Sequence, residues 1–245
     1  MENRFFEHPI LNSPYEYPPR HWEMDASGQP TQQIIEMRRI AQFITPIPKP
    51  RKRKETLVQE DFEFDDETGI STNKQRYEPI PIINEVRRQV DEWRRLPSPT
   101  DWLVTPETAR LLQHWRHHPF QGIRPFFCQV EAVETAIWLT EVAPKRPAWR
   151  RFQEHLDKAN ADANPELSRL SLKLATGAGK TTVMAMLIAW QSVNAARRSG
   201  SSNFTRGFLI VTPGLTIKDR LRVLDPSDPE SYFYTSSNLV TIMQG

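Results

Sequence analysis

The sequence predicts an α/β fold with a parallel sheet over its second half, preceded by an irregular and helical N-terminal extension. Three observations predict it. Leu170, Leu172 and Leu174 alternate as a strand does and lead into a glycine-containing turn, after which Val183, Met186, Leu187 and Trp190 are spaced for one buried helix face. Residues 208–211, Phe-Leu-Ile-Val, are a continuous apolar run between turn signals, the pattern of a buried parallel strand. Strand, loop, helix and strand in that order make a βαβ unit, and residues 239–243 are a third candidate strand. The prolines set the first part apart: twelve of the 21 lie within the first 100 residues.

Composition bounds what the chain does. Its 245 residues allow one large domain or two modest ones. Hydrophobic residues make up 38%, below the roughly 45–50% of ordinary globular chains, so part of the chain is expected to stay unpacked. Lys and Arg number 32 against 30 Asp and Glu, a net charge of +2, which excludes a generally basic nucleic-acid coat. Any DNA contact must be a local patch. The single cysteine, Cys128, excludes a disulfide framework and a multi-cysteine zinc site. Residues 1–10 carry Glu2, Arg4, Glu7 and His8 with no apolar stretch, unlike a secretory signal. The longest apolar run, 183–190, falls far short of the roughly 20 residues that span a bilayer. These features predict a soluble, cytoplasmic protein with no membrane partner.

Along the extension, residues 31–43 predict a short helix around Ile34, Ile35, Met37 and Ile40. A proline stretch then ends in Arg51, Lys52, Arg53 and Lys54, followed by an acidic run from Glu60 to Glu67. It reads as a solvated linker, with a grip on nucleic-acid phosphate as the sharper alternative. Ile83, Val86, Val90 and Trp93 follow helical spacing, and Thr105-Pro106-Glu107 is a helix start with a capping hydroxyl and Pro at the first position. That helix runs to His114, His117 and His118, which share a face but have no cysteine or carboxylate beside them. They are expected to be an exposed helix end and not a metal site. Residues 125–142 predict a long amphipathic helix with Phe126, Val130, Val133 and Ile137 on one face. Helix resumes over 154–160 and breaks at Asn164-Pro165.

The most informative stretch is Ala175-Thr176-Gly177-Ala178-Gly179-Lys180-Thr181-Thr182. A triphosphate needs several negative charges held without water. Consecutive backbone N–H groups at a helix N-terminus supply directed donors and a positive dipole end. Gly177 and Gly179 let the backbone curl close. Lys180 would reach the β- and γ-phosphates, and the Thr181 hydroxyl would take Mg²⁺. The pattern G-x-x-x-x-G-K-S/T departs at its first position, which is Leu174.

From Leu174 to Thr181 the chain resembles motif I of superfamily-two DEAD/DEAH-type helicases, especially the restriction-enzyme branch, where an apolar residue replaces the first Gly. Arg124-Pro125-Phe126-Phe127-Cys128-Gln129-Val130-Glu131-Ala132 resembles that branch's R-P-x-Q-x-E-A element with a slightly longer spacing, and the resemblance implies that Gln129 reads adenine. Val211-Thr212-Pro213-Gly214 through Lys218 and Arg220 resembles motif Ia, which implies nucleic-acid contact by Thr212, Pro213, Gly214 and Lys218. Residues 10–15 and 21–31 look like the start of type III restriction endonuclease Res subunits. The resemblance is strong from residue 121 and looser before it.

It implies a RecA-like ATP-binding motor domain over 121–245 behind an extension over 1–120, ATP and Mg²⁺ as cofactors, and nucleotide contacts from Arg124, Gln129 and residues 176–182. Double-stranded DNA and a methyltransferase (Mod) subunit are the implied partners. No Asp-Glu-x-His motif follows Lys180, so the domain is expected to be truncated before it, with little or no turnover by this chain alone. The parent activity expected is an ATP-dependent DNA helicase and restriction endonuclease. The alternatives are a catalytically inactive nucleotide-binding or partner-binding remnant, and a different P-loop ATPase.

Overall fold

The computed structural model describes residues 4–25, 27–41, 81–120, 124–163, 165–198, 200–212, 215–225, 227–229 and 231. The cations at 51–54, the acidic run at 60–67, Pro213, Gly214 and the expected strand at 239–243 lie outside these residues.

A one-turn helix α1 (Arg4–Glu7) precedes a hairpin of β1 (His21–Met24) and β2 (Pro30–Ile35). The strands are antiparallel, with His21 opposite Ile35 and Trp22 opposite Ile34. Asp25 makes the turn. Its carboxylate accepts from Ser27 N (2.8 Å), Ser27 Oγ (2.7 Å) and Gln29 N (2.9 Å), while Gly28 takes the left-handed conformation at φ 79°. This corrects the helix expected over 31–43 across its described residues, 31–41. The apolar residues that suggested a helix face bury little there, since Met37 and Ile40 are half exposed. Thr31, Ile34 and Ile35 are β-branched, and the Asp25 turn folds them back onto β1.

The main body is helical: α2 (Pro81–Arg94), α3 (Pro106–His117), α4 (Phe127–Ile137), α5 (Arg150–Ala163) and α6 (Lys180–Arg197). Helix α6 packs against both α3 and α4. One core joins them, with Val90, Leu111, Leu112, Val133, Ile137, Trp138, Phe152 and Met186 fully or almost fully buried. Helix α3 begins where Thr105-Pro106-Glu107 predicts, and the Thr105 side chain accepts from Thr108 N (3.1 Å).

The helix expected over 125–142 is α-helical only to Ile137. Residues 138–142 widen into a π turn, which rotates Glu141 inward. Two short 3₁₀ turns then lead into α5. A short helix α7 (Leu215–Arg220) and a following turn anchor on buried Leu224.

The two apolar runs flanking α6 form no strand among the described residues, where the only sheet is β1–β2. They nevertheless alternate. Leu172 and Leu174 pack on the core while Ser171, Lys173 and Ala175 are exposed. In the second run Leu209 is 89% and Val211 83% exposed, against 42% for Phe208 and 38% for Ile210. Exposure alternates over 171–175, whereas all four side chains of the second run are exposed, to alternating degrees, and Leu170 is exposed as well.

The N-terminal segment docks on the start of α4. Phe127 N donates to Pro14 O (2.9 Å), and the rings of Tyr15 and Tyr17 meet Phe126 and Phe127 edge-on at 5.4 and 5.5 Å. Asn84 on α2 reads the backbone of Ala41 in both directions, donating to its carbonyl (2.7 Å) and accepting from its N–H (2.8 Å).

Candidate functional site

The 175–182 turn joins the first apolar run to α6. Gly177 (φ 80°) and Gly179 (φ 69°, ψ 49°) both stand in the left-handed region, and Gly179 is the N-cap of α6. Their surroundings differ. A Cβ on Gly177 would meet open space, whereas one on Gly179 would collide with Nε2 of Gln129. Ala178 N donates to Ala175 O (3.3 Å) and Thr182 N to Gly179 O (3.0 Å), so the turn closes tightly before the helix. Lys180 and Thr181 occupy the first turn of an 18-residue helix, where backbone N–H groups have no carbonyl inside the helix to receive them. These donors and the positive helix end favour an anion.

Lys180 is exposed, and its ammonium turns back to donate to Ala175 O (2.8 Å). The cation thus stays on the loop. Thr181 and Thr182 are half-buried, and Thr176 and Gly177 are exposed at the rim.

Gln129 reaches this turn from α4. Its Oε1 accepts from Phe126 N (2.9 Å), capping its own helix, and its Nε2 donates to Ala178 O (2.9 Å). It is 5% exposed. Residues 49 apart in sequence are thereby joined. Arg124 is exposed, with its guanidinium 4.4 Å over the ring of Tyr15.

The expected nucleic-acid residues are placed only in part. Thr212 is half-buried, Lys218 is exposed on α7, and Pro213 and Gly214 lie outside the described residues. Imidazoles of His114 and His118 stack at 4.5 Å with Phe120 edge-on to both. No group of three or more His, Cys, Asp or Glu side chains is placed to hold a metal ion among the described residues. Nor is any described helix long and apolar enough to cross a membrane.

Sequence reasoning missed an ion ladder on the other face of α4. Buried Glu134 accepts from Arg94 Nε (2.6 Å) and Arg116 Nε (2.7 Å), while Glu131 pairs with Arg38 (2.5 Å) and Asp91 with Arg94 (2.5 Å). Burial works against the charge of Arg94, but Glu134 and its neighbours outweigh it and raise the pKa. At Arg116 burial prevails and the pKa falls, its guanidinium lying over the rings of Trp102 (4.6 Å) and Trp93 (5.0 Å). Glu131 and Glu134 lie one helical turn apart, a spacing that reveals a shared face but not three basic partners on other segments.

No protein-family model, curated protein or solved structure matches this chain.

Proposed function

We propose that this chain binds ATP-Mg²⁺ at the 175–182 loop and forms the nucleotide-binding front part of an ATP-dependent DNA translocase, the helicase subunit of a type III restriction enzyme. The observation that carries the reading is the Gln129–Ala178 hydrogen bond (2.9 Å). The two segments that resemble the helicase branch, far apart in sequence, meet at one loop.

The loop suits a polyphosphate. Two left-handed glycines, a close approach that a Cβ at Gly179 would block, the head of α6 and a single ammonium converge there. Exchange of Ala175 O for a phosphate oxygen would turn Lys180 toward the ligand without moving the backbone. Thr181 offers the hydroxyl for Mg²⁺, which keeps most of its ligands as water and phosphate oxygens. The bound ion would neutralise developing phosphate charge. What this chain's residues do is cradle and orient the phosphates.

The fold that goes with this reading is a RecA-like parallel sheet, with 170–174 and 208–211 as neighbouring strands around α6. The alternating exposure of residues 171–175, with Leu172 and Leu174 packed on the core, supports it. Double-stranded DNA would meet the surface following the second run, where Lys218 and Arg220 stand on α7. A methyltransferase subunit is the proposed protein partner, on the resemblance alone.

The test is binding of a fluorescent ATP analogue with Mg²⁺ to the chain and to Lys180→Ala. The variant is expected to lose at least tenfold in affinity; equal affinity would remove Lys180 from the site. Phosphate release from ATP is expected to rise on adding double-stranded DNA, and its absence would count against translocation.

A further inference from the structure

We infer that Gln129 is a positioning residue for the phosphate loop, and that nucleotide is held here through its phosphates with little discrimination between bases. The inference rests on the phosphate-loop reading above and concerns what that site selects.

A carboxamide that reads adenine must present one donor and one acceptor to the base at the same time. Both ends of the Gln129 amide are already engaged inside the protein. Oε1 accepts from the N–H of Phe126, and Nε2 donates to the carbonyl of Ala178. The residue is 5% exposed, so its remaining hydrogen-bonding capacity does not face solvent.

Turning outward to a base would break both bonds. It would strip the cap from α4, leaving the N–H of Phe126 without its acceptor, and would leave the Ala178 carbonyl without its donor. The amide also occupies the space beside Gly179, so that a Cβ there would collide with Nε2 and have to displace it. Gln129 therefore holds the loop in the left-handed turn that aims its N–H groups. The groups around the head of α4 are aromatic: Tyr15, Phe126 and Phe127, with Arg124 over Tyr15. Aromatic faces stack on any base, so they add no base preference of their own.

Calorimetric titration of the full chain with ATP, GTP and inorganic tripolyphosphate, each with Mg²⁺, tests this. The wild type is expected to bind ATP and GTP within about threefold of each other. Gln129→Ala removes both bonds. Gln129→Glu keeps an acceptor for Phe126 N but loses the donor to Ala178 O, which separates capping from loop positioning. Both variants are expected to weaken ATP, GTP and tripolyphosphate by a common factor of about ten, the cost of one lost hydrogen bond to an ordered loop.

A wild-type preference for ATP of tenfold or more would overturn the inference, as would variants that leave tripolyphosphate binding unchanged. The wild-type comparison decides even where a variant misfolds. Failure of the wild type to bind any of the three would remove the phosphate-loop reading itself and this inference with it.

Discussion

The indole N–H of Trp190 donates to the carboxylate of Glu141 at 2.7 Å, tying the middle of α6 to the π turn that ends α4. The same carboxylate accepts from Thr108 Oγ1 (2.6 Å) and from Thr105 N (2.8 Å) at the start of α3. Asn194 completes the cluster, donating to Thr108 Oγ1 (3.0 Å). One buried acid thus joins three helices, and α6 carries the link toward the glycine turn at 175–182 at its other end.

Glu141→Ala is expected to destabilise the fold by about 2–4 kcal/mol, because Thr108 Oγ1 and Thr105 N lose their acceptor together and Trp190 Nε1 keeps only its longer bond to Thr108 Oγ1 (3.1 Å). Urea denaturation would measure it. Thr105→Ala removes a cap and a hydroxyl at the edge of the same cluster and is expected to cost about 1 kcal/mol. Equal costs for the two variants would mean that Glu141 is not the centre of the network.

The two loop glycines are expected to differ. Gly177→Ala meets only a strained backbone, a penalty of about 1–2 kcal/mol for a left-handed residue. Gly179→Ala adds a collision with Gln129 and must displace either the amide or the loop. Affinity for a fluorescent ATP analogue should therefore fall further in Gly179→Ala than in Gly177→Ala. The reverse order would show that the loop does not keep this conformation when loaded.

The hairpin turn is expected to respond to acid. Hydrogen bonds from the Ser27 hydroxyl and from the Gln29 N–H hold the Asp25 carboxyl below the usual carboxylate range. A group whose pKa is lowered by folding contributes stability above its unfolded value and loses it as pH falls through the folded value. The turn should hold unchanged above about pH 4 and loosen below it. The amide resonances of Ser27 and Gln29 would report this, and Asp25→Asn should abolish the transition.

Leu209 and Val211 test the proposed sheet from its exposed side. Both point into solvent, so Leu209→Ser with Val211→Thr is expected to change unfolding stability by no more than about 0.5 kcal/mol. The same pair should reduce binding of a hydrophobic dye and slow aggregation, since unpaired apolar edges promote association. If 208–211 is a strand paired within a sheet, the substitutions should instead destabilise. Unchanged stability would count against a paired strand at 208–211.

Much of the local structure was legible in the residues. Thr105-Pro106 marked the start of α3 because a hydroxyl cap and a fixed proline φ act within one turn. The spacing of Val183, Met186 and Trp190 marked the buried face of α6, and Asn164-Pro165 its break from α5. Residues 31–43 misled because Ile34, Ile35, Met37 and Ile40 satisfy a helical period over too short a span. The strand there was decided by the Asp25 turn and by pairing with Trp22. The π turn at 138–142 was also illegible, because it exists to bring Glu141 to partners 33 to 49 residues away.

The candidate site divides the same way. Sequence by itself determined a glycine-lined turn with a lysine at the head of an apolar helix, because backbone freedom and helix capping are properties of neighbouring residues. Only the tertiary structure decided that the Gln129 amide is spent on Phe126 and Ala178, that a Cβ on Gly179 would meet that amide while one on Gly177 would meet open space, and that Glu134 lies between two arginines. Those facts depend on which segments pack together, and hydrogen bonds and steric exclusion between distant residues leave no periodic trace in the chain.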